Sequence, residues 1–279
     1  MNKLTQLNLL YKVWKSIKGF FLFKSPWRDI IQFALLIFIL IWIMGISTAN
    51  LGYNWQWSRI PKYIVKIVDG KASMGPLLKG LMLTFRISGI SLVLAMLLGL
   101  VSALMRLSNS IVARIISRIY IEAIRNTPLL VQLFFIYFIL GPILDLERFF
   151  SAVLALSLFE GAYASEIFRS GIVAIRRGQW EASHSLGLTG TDTYRFIILP
   201  QAIRTILPPL TSQAISLIKD SALVSLIALN DLTLQAQIVI SDTFLTFEIW
   251  FTTAAMYLVI TIILSTMVGL MEKKFSIRT

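Results

Sequence analysis

The chain has 279 residues, of which 57% are hydrophobic and only 14% are charged. A soluble domain has about 45–50% apolar and about 25% charged residues, so this composition excludes a soluble enzyme, a disordered chain and a nucleic-acid-binding module. The formal net charge is +12, and the basic residues lie mostly between apolar runs, where they orient membrane spans. With no Cys and a single His184, neither a thiolate nor a multi-histidine metal site is expected, and we predict no cofactor.

Residues 1–74 are predicted to contain an N-terminal cytoplasmic segment, a first membrane helix and an outer loop. The apolar run at 30–46 has a rival interpretation as a cleavable signal peptide, because Ser47, Thr48 and Ala49 follow it. The long leader and the length of the run favour an uncleaved span. The loop at 48–79 is basic and aromatic, which is typical of an interfacial segment.

Six apolar runs are long enough to cross a bilayer, since about 20 helical residues match a hydrocarbon core of about 30 Å. Backbone groups in lipid must form hydrogen bonds within their own segment, so each run is predicted to be a helix. The expected fold is an all-α membrane protein with six transmembrane helices, which lie at 30–46, 80–104, 120–140, 152–174, 206–228 and 249–270.

The distribution of Lys and Arg predicts the orientation of these spans. Basic residues are concentrated in segment 1–29, around 106–125, in the loop 176–204 and in the tail. With six spans these four regions share one side of the membrane, and the positive-inside rule makes that side cytoplasmic. Both termini are therefore expected in the cytoplasm.

Segment 178–200 is too polar to span the membrane and lies on the predicted cytoplasmic side. We expect a helix over 179–186, a turn at Gly187 and Gly190, and a second helix capped by Thr191. Pro200, which has no amide hydrogen, should stop or bend that second helix. A rigid helix–turn–helix suits docking to a soluble partner, and an amphipathic surface loop without a partner is the alternative.

The residue spacing of this segment resembles the EAA loop of permease subunits of ABC importers, although Ser183 stands where the family usually has a second alanine. In those families the loop forms a coupling helix that fits a cleft on the ATP-binding subunit. The resemblance implies ATPase-coupling roles for Glu181, Ala182, Ser183, Gly187, Ile197, Leu199 and Pro200.

Three further blocks, at 122–137, 161–171 and 217–222, resemble the polar amino acid permease family. The resemblance covers about residues 75–272 and implies a type I ABC importer permease domain there, with 273–279 as a cytoplasmic tail. It also implies a non-catalytic subunit of the bacterial inner membrane. Its expected partners are ABC ATP-binding subunits, a second permease that is identical or paralogous, and a periplasmic amino-acid-binding protein.

The chain has no Gly-x-x-x-x-Gly-Lys-[Ser/Thr] phosphate loop, so ATP hydrolysis is expected from a separate subunit. Three other functions compete with amino acid import. One is an ABC permease for another small polar solute, and the second is an ion-coupled secondary transporter, for which we find no inverted repeat. The third is a membrane enzyme, for which no catalytic motif is found.

Ionisable residues inside spans are costly and usually face a cavity or a partner. Glu166 and Arg169, three residues apart, are expected to pair structurally. Glu160 and Lys219 lie at about equal depth on consecutive spans, which indicates either a site for a zwitterionic amino acid or a structural ion pair. His184 is expected to make a polar contact.

At the start of the third span, Pro128 disfavours helical geometry at Thr127. This pattern predicts either a bent, cavity-lining segment or a plain helix start with proline in the first turn. Side chains of Asn126 or Gln132 could bond the carbonyl groups that a bend would free. The candidate residues of the substrate pathway are Glu160, Tyr163, Lys219, Asp220, Asn126 and Gln132.

Overall fold

The structure is a computed structural model that describes residues 26–50, 52–68 and 70–275. The predicted cytoplasmic segment before residue 26 and the tail residues 276–279 lie outside the described residues. The chain divides into two compact units, Met1–Trp55 and Gln56–Thr279.

The first unit contains one described helix, α1, over Pro26–Asn50. Proline at the first helical position and Asp29 in the first turn both favour a helix start there. The helix includes the apolar run at 30–46, so the predicted first span is helical. After it, Tyr53 and Trp55 pack edge to face with ring centroids 5.2 Å apart.

The second unit begins with a short segment that contains two strands, which an all-α prediction did not anticipate. A 3₁₀ turn at Trp57–Arg59 and helix α2 at Pro61–Ile64 lead into the strands β1, Val65–Val68, and β2, Lys71–Met74. The strands pair antiparallel, with Val65 opposite Met74. This hairpin occupies the loop that the sequence predicted as interfacial.

The rest of the second unit is helical. Its elements in chain order are α3 Pro76–Leu107, α4 Ile111–Arg125, α5 Leu129–Phe135, a π-helical turn Ile136–Leu140, α6 Gly141–Leu144, α7 Arg148–Val173, α8 Arg177–Ser185, α9 Gly190–Asp192, a π-helical turn Thr193–Ile198, α10 Leu199–Asp220, a 3₁₀ helix Ser221–Ile227, α11 Leu232–Thr243 and α12 Thr246–Phe275.

Four helical stretches in the described part of the chain are long and apolar enough to cross a membrane. They correspond to four of the six predicted spans. A bent helix pair, Ile111–Arg125 with Leu129–Leu144, makes a fifth if it is one span. The count of six, which needs α1 as well, remains a prediction. The four stretches are Pro76–Leu107, Arg148–Val173, Gly190–Ile227 and Thr246–Leu270.

The prediction of one continuous third span over 120–140 is wrong, because the chain bends by 107° between α4 and α5. Pro128 disfavours helical geometry at the residue before it and is the N-cap of α5. The amide of Gln132 donates to the freed carbonyls of Ile124 and Thr127 at 2.7 and 2.8 Å. The bend is therefore present, and a new helix also starts directly after Pro128. The cavity-lining role stays a prediction.

Helices α3 and α7 form the central packing contact of the unit. Small residues allow the two helices to approach closely, as is usual between membrane helices. A Cβ atom on Gly99 would lie 2.7 Å from the Cβ of Ala164, and one on Gly161 would lie 3.1 Å from the Cβ of Leu98. The buried alanines of these helices are Ala95, Ala103, Ala152, Ala155, Ala162 and Ala164.

A buried apolar cluster fixes the polar loop after α7 to the spanning helices. It joins Ile172 near the end of α7 to Ile198, Ala202 and Ile206. Ile198 and Ala202 are fully buried. The position of segment 177–200 is therefore set by the same core that holds α7 against α10.

Candidate functional site

Residues 177–200, which we call the elbow, form two helical arms around a tight turn. The first arm, α8, ends in a Schellman motif: Leu188 N–H donates to the carbonyl of Ser183 at 3.1 Å, and Gly187 N–H donates to that of His184 at 3.0 Å. Gly187 has a φ of +76°, a left-handed conformation that glycine adopts without a Cβ penalty. The predicted helix–turn–helix is present.

The second arm begins at Thr189, not at Thr191 as the sequence predicted. The side chain of Thr189 accepts from the backbone N–H of Asp192 at 3.2 Å and donates to its carboxylate at 2.6 Å. Thr191 is exposed within α9. Thr189, two residues earlier, is the cap because its hydroxyl can reach the free amide of the third helical residue.

Pro200 does not stop the second arm, which continues as one helical stretch over Gly190–Ile227. A π-helical turn precedes the proline, and there Leu199 N–H bonds to the carbonyl of Tyr194. The side chain of Gln201 donates to the carbonyl of Ile197 at 2.8 Å. These two contacts satisfy backbone groups near a residue that lacks its own N–H.

The inner side of the elbow holds the two arms together. Ser183 is buried and donates to the carbonyl of Gln179. Trp180 packs edge to face against Tyr194, with ring centroids 5.0 Å apart. Gln201 donates to the side chain of Gln179 at 3.2 Å. The Ser183 bond lies within the first arm, whereas the Trp180–Tyr194 and Gln201–Gln179 contacts cross from one arm to the other. The elbow is therefore preformed by contacts between its own arms.

The outer side of the elbow is exposed and carries few charges. Leu186 is 79% exposed, and Ala182 is exposed one turn before it. Glu181 pairs with Arg177 on its own helix at 3.0 Å, and both side chains are largely exposed. Sequence reasoning missed Leu186, whose position just before the helix-ending glycine was the available signal. His184 makes the expected polar contact, with the carbonyl of Trp180.

At the same end of the unit, Glu166 joins arginines from three helices. It pairs with Arg106 of α3, with Arg169 of α7 at 3.1 Å and with Arg125 of α4 at 3.9 Å. The predicted pairing with Arg169 is confirmed. We call these four residues the Glu166 cluster, which carries a net charge of about +2 because three guanidinium groups surround one carboxylate.

Glu160 lies in the middle of α7 and is only 2% exposed. Its Oε2 accepts from the amide of Gln213 at 2.5 Å, and its carboxyl contacts that of Asp220. Its other oxygen, Oε1, has no hydrogen-bond partner among the described residues. The predicted opposite charge at this depth, Lys219, is exposed, and no ion pair within the described residues joins it to Glu160.

The remaining candidates separate into two kinds. Tyr163 lies one turn after Glu160 and has the guanidinium of Arg125 5.3 Å from its ring centroid, so it contacts the Glu166 cluster. Asn126 donates to Glu122 at the end of α4, and Gln132 bonds backbone carbonyls at the bend. Both amides therefore support the broken helix.

Comparison with known proteins agrees with this arrangement. Residues 95–277 match the family described as binding-protein-dependent transport system inner membrane component. The glutamine transport system permease protein GlnP of Escherichia coli (strain K12) is 37% identical over 204 residues, which are 72% of this chain and 93% of that protein. The L-cystine transport system permease protein TcyB of Bacillus subtilis (strain 168) is 40% identical over 71% of this chain and 81% of its own length.

Among solved structures, the crystal structure of an amino acid ABC transporter with histidines shares 39% identity with this chain. The match has a TM-score of 0.68 and covers 71% of this chain and 94% of the other. The fold is thus that of an ABC importer permease. The chain belongs to the family of inner membrane components of binding-protein-dependent transport systems.

Proposed function

We propose that this chain is the permease subunit of an ATP-driven importer that carries amino acids across the bacterial inner membrane. The main support for this proposal is the preformed elbow. It is an exposed element at the end of the spanning helices, and we assign it no catalytic role. The relatives named for glutamine and L-cystine transport and the solved amino acid transporter support the substrate class.

The elbow would deliver the energy of ATP hydrolysis from a separate ATP-binding subunit. Leu186 and Ala182 offer an apolar surface that fits a groove, as helix-in-groove recognition requires. The ion pair of Glu181 with Arg177 is exposed, so it costs little to exchange Arg177 for a basic partner residue. Gly187 and Ser183 fix the turn, while Ile197, Leu199 and Pro200 carry the movement into α10.

The assembly we infer contains two permeases, identical or paralogous, with two ATP-binding subunits and a periplasmic amino-acid-binding protein. Residues 75–272 form its permease domain, preceded by the extra helix and outer loop of 1–74 and followed by the tail 273–279. The elbow and both termini lie in the cytoplasm. The clustering of arginines near the elbow supports this orientation.

We place the substrate near Glu160 and Asp220. Two carboxyl groups in contact repel each other unless a proton or a cation lies between them. The ammonium group of an amino acid supplies such a cation, and the unpartnered Oε1 of Glu160 is available to accept from it. Arg125, which stacks on Tyr163, would attract the carboxylate. We also assign to this pathway, away from the substrate position, the residues Lys219, Asn126 and Gln132.

Reconstitution of the full complex tests the proposed function. Proteoliposomes that contain the permease, its ATP-binding subunits and the binding protein should accumulate a labelled amino acid from a panel when ATP is supplied. The same vesicles without the ATP-binding subunits should not. Uptake that persists without them would overturn the proposal in favour of an ion-coupled transporter, and uptake of other polar solutes alone would overturn the substrate class.

The substrate position has its own test. Glu160→Gln should weaken uptake of amino acids, and inhibition by analogues that keep the ammonium but lack the carboxylate should fall most. Glu147→Gln, at the exposed N-cap of α7, is the matched control. If Glu160→Gln folds and retains the same pattern of inhibition, the residue serves the structure only.

A further inference from the structure

Helix α4 is held in a fixed rotation by contacts along one face. Ser117 is buried, with its hydroxyl 2.6 Å from that of Ser102 on α3. Tyr120 donates to the carbonyl of Leu158 on α7 at 2.7 Å. Ile121 is also buried. The directions in which the other two faces of α4 point are therefore determined.

A second face of α4 is apolar and uncovered. Its five residues are 51–66% exposed, and at about 100° per residue they fall within a stripe about 140° wide. Exposed apolar patches of this kind mark contact with a membrane or a partner. The residues of this apolar stripe are Ile111, Val112, Ile115, Ile116 and Ile119.

Basic residues form a narrow edge between the apolar stripe and the buried face. Arg114, Arg118 and Arg125 fall within about 40° of one another around the helix. Arg114 and Arg118 are exposed, and the ion pairs of the described residues include neither. Two cations are therefore available to an external anion alongside an apolar surface.

The level of α4 along the spanning helices matches the edge of a bilayer. Glu166, which contacts Arg125 at the end of α4, lies 18 residues after Arg148, or about 27 Å along α7, whereas the long side chain of Tyr120 reaches further in, to Leu158. A hydrocarbon core is about 30 Å thick. The axis of α4 and the axis of the helical stretch Leu129–Leu144 differ by 107°. Helix α4 therefore lies nearly at right angles to the direction of the span.

We propose that α4 lies in the plane of the membrane at the inner leaflet, with its apolar stripe among acyl chains and Arg114 and Arg118 on anionic phospholipid headgroups. The leaflet rests on the proposed cytoplasmic position of the elbow, since α4 and the elbow lie at the same end of α7. A second copy packed on this stripe would bring two arginine edges together, which like-charge repulsion disfavours.

Depth measurement tests the position of α4. The chain has no cysteine, so single nitroxide labels can be attached at Val112→Cys, Ile116→Cys and Ile119→Cys in the assembled complex in nanodiscs. Labels on an in-plane helix should sit at equal depth and be accessible to oxygen. Exposed positions of α3, Val93→Cys and Val101→Cys, are the matched control and should differ by about 12 Å.

Two results would overturn the position. A steady change of depth by about 1.5 Å per residue along α4 would make it a spanning helix. Poor oxygen access with dipolar broadening between labels would mean that a second copy covers the stripe.

Lipid charge tests the arginine edge. Arg114→Gln with Arg118→Gln should reduce association of spin-labelled phosphatidylglycerol, relative to phosphatidylcholine, by about fivefold or more. Lys66→Gln with Lys71→Gln, exposed on the hairpin, should change it little. If the two double variants reduce the association of phosphatidylglycerol equally, the proposed lipid site is wrong. Access of a membrane-impermeant thiol reagent to Leu186→Cys reports the side of the elbow separately, so an error in the proposed topology is distinguishable.

Discussion

At the scale of single residues, Gly187 is the position where backbone geometry matters most. Its φ of +76° ends α8, and a Cβ atom built on it would have nothing within 4 Å. Space therefore does not require glycine at this site, whereas the left-handed backbone does. A side chain at 187 strains the turn even where no partner touches it.

We expect Gly187→Ala to weaken the coupling between ATP hydrolysis and uptake, because the left-handed backbone costs a residue with a Cβ about 1–2 kcal/mol. The ratio of amino acid moved to ATP hydrolysed in proteoliposomes measures this effect. Gly178→Ala is the control, since Gly178 lies in the same arm with open space and no positive φ. Equal ratios for the two variants would show that the turn geometry is unimportant.

Asp231 is a second residue with a measurable consequence. It is fully buried as the N-cap of α11, and its carboxylate accepts from the N–H groups of Thr233 and Leu234. Burial raises its pKa from the ordinary value to about 6, although these hydrogen bonds act in the opposite direction. The folded state therefore holds its proton more tightly than the unfolded state.

We expect the contribution of Asp231 to the free energy of unfolding to be highest at acidic pH and to fall as pH rises through about 6. Asp231→Asn should remove this component and keep the cap, since asparagine caps about as well as aspartate. Asp231→Ala should lose the cap as well, at a cost of about 1 kcal/mol. Thermal unfolding in detergent at pH 5 and pH 8 compares the three proteins. A wild-type slope retained by Asp231→Asn would contradict the assignment.

At the scale of elements, the contact of α3 with α7 depends on small residues. We expect Gly99→Ala to destabilise the folded protein by about 1–3 kcal/mol, because its new methyl group would overlap Ala164. Gly89→Ala, on the same helix with nothing within 4 Å, should be neutral or stabilising. Unfolding temperatures of the two variants in detergent test this contrast, and equal temperatures would contradict it.

Some elements could be predicted from the sequence because the bilayer leaves few solutions. Long apolar runs must be helices, and the helical stretches in 76–107, 148–173 and 246–270 are observed where hydropathy places them. The elbow was also predictable, since Gly187 and Gly190 punctuate a polar segment. The cap was misplaced by two residues, because Thr189 and Thr191 are chemically equivalent and only the path of the chain distinguishes them.

The break between α4 and α5 could be predicted only as one of two alternatives. Pro128 is compatible with a helix start as well as a bend, and the choice depends on Gln132 reaching back to the carbonyls of Ile124 and Thr127. The hairpin of β1 and β2 was missed because a membrane composition led us to expect helices throughout. Four-residue strands carry too little periodicity to change that expectation.

At the scale of the whole molecule, the Glu166 cluster ties α3, α4 and α7 together near the elbow. We expect Glu166→Gln to destabilise the fold, because the partly buried guanidinium groups of Arg106 and Arg169 and the more exposed one of Arg125 would lose their shared counter-charge. Glu181→Gln removes an exposed pair and should cost at most about 1 kcal/mol. Unfolding temperatures in detergent at low and high salt compare them, and equal loss in both variants would contradict a special role for the cluster.

The candidate pathway was predictable as a set of polar residues in spans but not as an arrangement. Counting residues along the two helices predicts that Glu160 and Lys219 lie at the same depth. Which side chains meet depends instead on the rotation of each helix about its axis. Asp220, adjacent to Lys219, lies about 100° away around α10 and turns toward Glu160. Sequence periodicity did not resolve this choice, because the two charged residues are adjacent and the apolar pattern does not fix the rotation of α10.

The unbroken helical stretch from Gly190 to Ile227 has a mechanical consequence. Its α-helical part, Leu199–Asp220, has 22 residues and is about 33 Å long, and it follows directly on the elbow. A tilt of this part by about 9° would displace its far end by about 5 Å, which is comparable to the size of an amino acid. A movement of the elbow is therefore enlarged at the far end of α10 without any helix unwinding.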